Sequence, residues 1–439
     1  MLKKVSSVLA SALLFCFILT GCYDALEVDD EVYVFSLGVD KGVSNKVRVT
    51  IQYPVYKSSS DSGSQGDKSK SSMGGSNVAG DTNISTIDAS TILEALDMFG
   101  MSISRRVSLM HTKELIFSEE FAREGVGEYL APMARFRETR RTTNVIITQG
   151  KAQDFIKENI SNIGDSLAKS LELMMVQSDN TSYFPRVQFH DFYKGMISSF
   201  EQSYATYAGI NNFDALLPEK AGDTAPLIVD QGFLPGNQPR EGVSKREFAG
   251  TAVFDGDKMI GVLDSEETRY FLMVAGKFKK GIIVIEDKNA PGDSIPMDLR
   301  PGRAPILKGR FENGKPVIDV ILKMEADVGA IQSRINYESF NRIKELEQQT
   351  ADAIKGKVEK VIKKVQKEYK TDIFGFGHKF AGYFPTIQDW EAYDWLTHFQ
   401  EAVINVTVDV SVRRTGLMIY SSPIKHVRET ANAQEGQKP

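Results

Sequence analysis

The first 22 residues decide where the rest of this chain can fold. Two lysines, Lys3 and Lys4, precede an apolar run over residues 5–19, which is shorter than a membrane-spanning helix requires. Residues 19–22 then read Leu-Thr-Gly-Cys. A positive start, a short apolar segment and small residues before a cysteine are typical of a bacterial lipoprotein signal. We therefore predict a signal peptide over residues 1–21 and a mature chain that begins at Cys22.

Cys22 is the predicted lipidation site, carrying an S-diacylglycerol group and an N-linked acyl chain such as palmitate. Each buried methylene contributes about 0.8 kcal/mol, so two or more acyl chains hold a globular body stably on a membrane. The formal net charge of −5 becomes −7 once Lys3 and Lys4 leave with the signal. Anchoring is thus expected from the lipid and not from attraction to anionic headgroups. An ordinary secretory signal is the alternative interpretation.

Composition describes a globular body and excludes several classes of function. The chain has 439 residues, 41% of them hydrophobic and 25% charged, and at about 150 residues per domain this predicts roughly three units. Acidic side chains outnumber basic ones by 58 to 53, so no nucleic-acid partner is expected. The two cysteines, Cys16 and Cys22, lie at the amino terminus. The body therefore holds no disulfide and no thiol nucleophile.

Alternating strand and helix patterns predict an α+β, or mixed α/β, multidomain ectodomain with several small mixed sheets flanked by helices. The predicted units are an N-terminal α/β domain over 22–199, a middle α/β region over 200–302, a C-terminal α/β domain over 303–427 and a flexible tail over 428–439. Residues 57–83 are rich in Ser and Gly, which predicts a flexible loop inside the first domain.

Some elements carry strong local signals. Asp255-Gly256 and Asn313-Gly314 each separate two apolar runs, which predicts β-hairpins. Asp264 is expected to cap a helix whose third residue, Glu267, reaches back to it. The longest predicted element is an amphipathic helix over 337–370 with a single apolar stripe. It is expected to pack on its own sheet, with a coiled-coil partner as the alternative.

Sequence motifs for catalysis and cofactors are incomplete. The five histidines lack the spacing of a metalloprotease site. Residues 309–316 match a phosphate loop until Pro316, which supplies neither the required hydroxyl nor an amide. Residues 375–380 lack the third glycine of a dinucleotide fingerprint. We therefore predict no catalytic residue, no cofactor and no metal.

A basic cluster stands out between two predicted elements. It contains Arg135, Arg137, Arg140 and Arg141, with Glu138 among them. We expect a solvated face with internal ion pairs, and recruitment of an anion is the alternative.

A series of short motifs is spread along nearly the whole mature chain. These are Gly21-Cys22-Tyr23-Asp24, residues 37–41, 111–113, 137–141, 250–258 and 263–269, Gln366-Lys367-Glu368-Tyr369, residues 372–377, Pro385 and Trp395. In this order they resemble the Ger(x)C spore germination lipoproteins, the C subunits of nutrient germinant receptors. Tyr23 stands where the family usually has Trp, and the loop over 57–83 is longer than is typical.

The resemblance implies a body tethered to the outer face of the cytoplasmic membrane, at the spore inner membrane, and assembled with two integral membrane subunits, A and B. It also implies a non-enzymatic role in receptor assembly and germination signalling. The alternative hypothesis is a tethered solute-binding lipoprotein of a transporter. A cell-envelope hydrolase is a third and weaker one.

One motif is singled out as a candidate interface or structural element. It comprises Asp372, Phe374, Gly375, Phe376 and Gly377. Its glycines and phenylalanines suit a contact surface as well as they suit a turn that ends a helix over the core. The sequence leaves both interpretations open.

Overall fold

The computed structural model describes residues 30–55, 82–160, 166–214, 227–229, 231–333 and 335–416. Cys22, the predicted signal peptide, most of the Ser/Gly loop and the predicted tail lie outside these ranges. Within them, helices and mixed sheets confirm the predicted α+β class. None of the helices in these ranges combines the length and apolar character that crossing a bilayer would take.

The secondary structure of these ranges is built from short and medium elements. The strands are β1 (Glu31–Tyr33), β2 (Ser36–Lys41), β3 (Val47–Pro54), β4 (Thr82–Ala89), β5 (Arg106–Ser108), β6 (Glu114–Ser118), β7 (Asn144–Thr148), β8 (Tyr204–Ile210), β9 (Arg246–Asp255), β10 (Lys258–Leu263), β11 (Gly281–Glu286), β12 (Ser294–Pro301), β13 (Ile306–Glu312), β14 (Lys315–Val328) and β15 (Val403–Arg414). The helices are α1 (Ile92–Met98), α2 (Glu119–Glu124), α3 (Gly127–Arg135), α4 (Ala152–Lys157), α5 (Leu167–Thr181), α6 (Phe189–Met196), α7 (Ser265–Val274), α8 (Phe340–Lys364), α9 (Ile387–Tyr393) and α10 (Trp395–His398).

The larger sheet has eight strands in the order β10-β9-β8-β7-β6-β2-β3-β4. Its central strands, β2, β6, β7 and β8, run parallel, and antiparallel strands flank them on both sides. Along β6, Leu115 and Phe117 enter one core while Ile116 enters the core on the opposite face. Because both faces are covered, the central strands have continuous apolar sequences instead of alternating ones.

The second sheet is organised around the long strand β14. Strands β13 and β12 pair with successive parts of one edge of β14, β11 pairs with β12, and β15 runs parallel along the other edge. Helix α8 buries Leu346, Ile354 and Val358 in the core of this unit. This confirms that the long amphipathic helix packs on its own core. The helix ends in a wider π-helical turn over Val365–Tyr369.

Local sequence signals located several elements correctly. The hairpins predicted at Asp255-Gly256 and Asn313-Gly314 are present as β9–β10 and β13–β14. The Asp264 cap of α7 is a full capping box with Glu267, as predicted. Strand β4 begins at Thr82, so the last two residues of the predicted loop over 57–83 belong to the sheet. The strand needs them because it pairs with β3 from Pro54 onward.

Residues 200–302 are divided between the two sheets. Strands β8, β9 and β10 complete the eight-stranded sheet, whereas β11 and β12 belong to the second sheet. The buried helix α7 lies between these two groups. Its Phe271 ring packs 4.8 Å from the ring of Tyr204 on one side and 5.6 Å from that of Phe374 on the other. The segment thus links the two sheets.

A buried polar network ties β9 into the larger sheet. The Glu114 carboxylate on β6 accepts hydrogen bonds from Arg246 Nη2 at 2.9 Å and from Ser36 Oγ at 3.2 Å. Arg246 Nη1 also donates to Asn159 Oδ1 at 2.5 Å. The same guanidinium lies 4.2 Å from the ring centroid of Phe155. Both members of this ion pair are buried, and they stand 132 positions apart in sequence.

Candidate functional site at the junction of the two sheets

The motif over residues 372–377, called here the Asp372 turn, lies where the two sheets meet. It follows the π-helical end of the long helix after Lys370, whose positive φ of 56° reverses the chain. Gln202 N–H donates to the Asp372 carbonyl at 2.8 Å, and Thr371 Oγ1 donates to the Phe254 carbonyl at 3.2 Å. The backbone around the turn is therefore bonded directly to the unit that holds the larger sheet.

The Asp372 carboxylate is the centre of the turn. Its Oδ1 accepts from the amides of Phe374 and Gly375, each at 3.0 Å. Its Oδ2 accepts from the Gly377 amide at 3.0 Å and from the indole Nε1 of Trp395 at 2.9 Å. In the described part of the chain, no Lys or Arg nitrogen lies within ion-pair distance of it. The carboxylate is stabilised by neutral N–H groups.

Burial controls the ionisation of this group. Asp372 is fully buried, and desolvation raises its pKa to about 6, against the opposing effect of the Trp395 and backbone hydrogen bonds. The group therefore titrates close to neutral pH. A perturbed carboxyl can mark a functional site, but here all four acceptor positions are already taken by the chain's own donors.

Two glycines are required by the geometry of the turn. Gly375 has a φ of +74°, in the left-handed region where a Cβ is disfavoured. A Cβ on Gly377 would stand 2.3 Å from the Phe200 carbonyl oxygen and 2.6 Å from Trp395 Cδ1. A side chain at Gly377 would force the neighbouring backbone or Trp395 to move, and one at Gly375 would hold a strained backbone conformation.

The aromatic residues of the turn point into the core. Phe374 is 6% exposed and Phe376 is fully buried, and their rings stack with centroids 5.0 Å apart. The Phe374 ring also packs against Phe271 of α7. These contacts favour the structural interpretation of the motif, because its side chains join parts of this chain and are not presented to solvent.

A polar cavity of about 240 Å³ opens beside the turn. It is lined by residues of α6, the start of β8, Lys277 and His378. Glu201 lies 3.5 Å from His378 Nε2 and 3.6 Å from Lys194 Nζ, while the His378 ring stacks on Phe200. The cavity is small, and at its wall Glu201 lies within ion-pair distance of Lys194.

A larger cavity of about 570 Å³ lies at the carboxyl ends of β2, β6 and β7. Ligands of parallel α/β sheets bind at such an edge. Here Asp40 accepts from the amides of Ala152 and Gln153 at 2.7 and 2.9 Å, so the chain's own carboxylate occupies the amide donors. Burial raises the pKa of Asp40, although both amides oppose this. The cations Arg48 and Arg123 are likewise bonded to acids of the chain.

The structure places the other predicted residues as follows. Cys22 lies outside the described residues. Glu138 was expected to pair with the arginines beside it in sequence. It is instead buried, and it accepts hydrogen bonds from Arg106 and from the Leu109 amide. The expectation of internal ion pairs in that cluster was therefore wrong. Among the described residues, no group of three or more His, Cys, Asp or Glu side chains is placed to hold a metal.

Several residues at the junction were missed by sequence reasoning. Gln202 and Thr371 bond across the junction, and Phe271 and Tyr204 fill it. Their partners lie far away in sequence, so no local pattern reports them. The available sequence signal was the high proportion of aromatic residues over 369–399. It predicts a buried core, but not which distant segments pack against that core.

The chain is similar to known proteins over most of its length. The family described as "Spore germination protein N-terminal domain" matches residues 24–210, and "Spore germination B3/GerAC like, C-terminal" matches residues 249–416. Spore germination protein KC of Bacillus subtilis (strain 168) is 23% identical over 430 residues, covering 94% of this chain and 96% of the relative. Spore germination protein B3 of the same organism is 23% identical over 361 residues, covering 81% and 83%. A solved structure titled "Crystal Structure of the GerBC protein" is 16% identical, with a TM-score of 0.46, and covers 86% of this chain and 96% of that one.

The fold is that of a two-sheet α+β protein, and its most distinctive motif is a buried turn between the sheets. The family matches identify the group of proteins to which it belongs. This chain belongs to the Ger(x)C, or GerAC-like, family of spore germination proteins, as its motifs predicted. Its role lies in spore germination, and the family is not one of known enzymes.

Proposed function

We propose that this chain is the lipid-anchored C subunit of a spore nutrient germinant receptor. In this proposal Cys22 carries the diacylglycerol and N-acyl groups, and the body lies on the outer face of the spore inner membrane. Two integral membrane subunits, A and B, are its partners, and it acts in receptor assembly and signalling without catalysing a reaction. The observation that carries the proposal is the match to spore germination protein KC over 94% of the chain, together with the lipoprotein signal at residues 19–22.

Tethering gives such a subunit a physical role. A body confined near the bilayer meets embedded partners at a high effective concentration, so modest contact surfaces are enough for stable assembly. The first family match begins at residue 24, two positions after Cys22. The anchor therefore leaves the body close to the membrane and to any subunit embedded in it.

The Asp372 turn has a structural role in this proposal. It joins the unit that holds the larger sheet to the unit that holds the smaller one, through Asp372, Thr371 and Gln202. A receptor subunit that transmits a signal by contact needs its surfaces held in a fixed relation. The buried turn is suited to that task because its hydrogen bonds are internal and shielded from water.

The test of the anchor is the variant Cys22→Ala in the sporulating organism. We expect the variant to be lost from spore membranes or to persist as an uncleaved precursor, and germination through this receptor to fail. Cys16→Ala is the matched control, because it removes a thiol from the apolar signal segment and leaves the lipidation site intact. Normal processing, membrane retention and germination of the Cys22→Ala spores would rule the anchor out.

A further inference from the structure

The chain enters the described fold at a defined place. From Asp30 it forms β1, which runs parallel to β5, and Arg106 Nη1 of β5 donates to Glu31 at 2.9 Å. Cys22 precedes Asp30 by eight residues. At 3.3–3.6 Å per residue, those residues span at most about 29 Å. If the proposed anchor at Cys22 holds, the surface around β1 must therefore lie close to the bilayer.

Four arginines lie on that surface. Arg135 ends helix α3, and Arg137, Arg140 and Arg141 follow it in the loop before β7, all of them exposed. Within the described ranges, none of the four guanidinium groups has a carboxylate within 4 Å. The acid among them, Glu138, is buried and bonded to Arg106 and Leu109. The cluster thus carries four charges that the described chain does not neutralise.

The arginine loop adjoins β1 in space. The ring of His111 lies 4.6 Å from that of Tyr33 in β1. Partial burial and the charges of Arg140 and Lys113 lower the pKa of His111, so Arg140 is near enough to this ring for its charge to act on it. Phe136, within the arginine segment, lines one cavity together with Arg106 of β5.

Two exposed methionines flank these charges. Met101 is 75% exposed and Met110, next to His111, is 41% exposed. Gly100, beside Met101, lines the same cavity as Arg106 and Phe136. Cations mixed with exposed flexible apolar side chains are typical of surfaces that rest in a lipid headgroup layer. The four arginines with Met101 and Met110 are called here the arginine surface.

We propose that the arginine surface binds the anionic phospholipid headgroups of the membrane to which Cys22 is anchored, and so fixes which face of the body is turned to the bilayer. This inference rests on the proposed anchor but adds a second contact to it. The net charge of −7 predicted no attraction to anionic lipid, but a net charge is an average over the whole molecule. The potential of a membrane falls within about one Debye length, so the charges nearest the bilayer matter most. There the four arginines act against the acids Asp24, Glu27, Asp29 and Asp30 of the segment that follows the anchor in sequence.

Lipid phosphate is favoured over an acidic protein segment by geometry and position. Guanidinium groups bind phosphate oxygens through paired, charge-assisted hydrogen bonds. The arginines occupy an exposed loop and not a groove that would enclose a peptide. They also lie near β1, the first described strand after Cys22, which the proposed anchor would hold close to the membrane.

The test uses the acylated full chain in vesicles, with one cysteine introduced for a fluorescent label. Cys16 leaves with the signal and Cys22 is blocked by its thioether, so Met101→Cys provides the single free thiol. The rate of quenching by a water-soluble quencher should be at least about fivefold lower in phosphatidylglycerol-rich vesicles than in phosphatidylcholine vesicles. One arginine near an anionic surface changes the binding equilibrium by about that factor. A label at Ile282→Cys, 57% exposed on β11, should show no difference.

A matched pair of charge variants tests the residues. The first variant changes the four arginines, Arg135, Arg137, Arg140 and Arg141, to Gln. The control removes the same charge from four exposed cations on the other unit, Lys277, Lys279, Lys280 and Arg303. The first variant should abolish the lipid-dependent shielding at position 101, and the control should keep it.

Several outcomes would overturn the proposal. These are equal shielding in both lipids, equal effects of the two quadruple variants, or lipid-dependent shielding at position 282. Unchanged shielding in the arginine variant, combined with lost co-purification of integral membrane proteins, would assign the surface to a protein partner instead. Failure of the anchor itself is recognised separately, because the purified chain would lack the acyl mass and would not stay on either vesicle.

Discussion

The two units of this protein each bury a carboxylate, and they stabilise it in opposite ways. In the larger sheet, Glu114 is neutralised by the buried guanidinium of Arg246 at 2.9 Å. At the junction, Asp372 has four neutral N–H donors and no cation within ion-pair distance among the described residues. The first site is an ion pair. The second is a carboxylate that four neutral N–H groups surround, called here the Asp372 cage.

The two sites act differently in the fold. The Glu114–Arg246 pair joins residues that are 132 positions apart, and it fixes β9 in the larger sheet, although most of β9 lies within the C-terminal family match that begins at residue 249. The Asp372 cage draws its donors from residues 374–395, so it shapes one local turn and presents that turn to the junction. If the two sites differ in this way, substitutions at each should have different effects on stability.

The largest effect is expected from breaking the charge pair. Arg246→Met leaves Glu114 buried without its cation, and the loss of one partner of a buried pair costs about 3–5 kcal/mol of unfolding free energy. Urea denaturation followed by circular dichroism measures the loss. The double variant Glu114→Gln, Arg246→Met removes the uncompensated charge and should recover at least half of it. A single variant within about 1 kcal/mol of the native chain would show that the pair does not hold β9 in place.

A somewhat smaller effect is expected from emptying the aromatic junction. Phe374→Ala removes a buried ring that packs on Phe376 and Phe271, and such a truncation costs about 3 kcal/mol. Below the melting temperature, assembly with membrane subunits should be retained. Tyr383→Ala, at a residue that is 55% exposed, is the control and should change stability little. Lost assembly with unchanged stability would instead identify the motif as an intermolecular interface.

The smallest effect is a pH dependence of stability that arises at Asp372. Because the folded-state pKa of Asp372 is raised to about 6, the folded chain binds more protons than the unfolded chain between about pH 4 and 6. Its contribution to the unfolding free energy is therefore largest below pH 4 and falls as the pH rises through this window, by about 1–3 kcal/mol.

Asp372→Asn removes this titration while it also leaves two N–H donors facing an amide nitrogen. The native chain should be more stable than the variant, and the difference should shrink from pH 4 to pH 7 in parallel urea titrations. A difference that grows with pH would mean that the four donors outweigh burial. The pKa of Asp372 would then be lowered, and the contrast with Glu114 would have to be restated.

Local features of the fold were predictable from the sequence, because a few adjacent residues determine them. The capping box at Asp264, the turn at Asn313-Gly314 and the long helix are of this kind. Strand β12 was missed because prolines such as Pro296 and Pro301 argue against a strand. In the structure both prolines nevertheless occupy paired positions of β12. The division of residues 200–302 between the sheets was also missed, because strand pairing between distant segments decides it.

The candidate site was predictable in part for the same reason. The residues of the Asp372 turn were identified, yet their burial was not, because glycine and phenylalanine suit a surface patch and a core turn equally. Glu138 stood among four arginines in sequence, and its proximity suggested ion pairs with them. The backbone instead directs it to Arg106 and Leu109, which leaves the arginine surface charged.

The most direct test of a contact-acting receptor subunit is purification of the full-length acylated chain from spore membranes in mild detergent. Identification of the proteins that co-purify should find two integral membrane proteins, and Cys22→Ala spores should yield neither in the membrane fraction. Recovery of the native chain without integral partners, or from the soluble spore fraction alone, would contradict the proposed role.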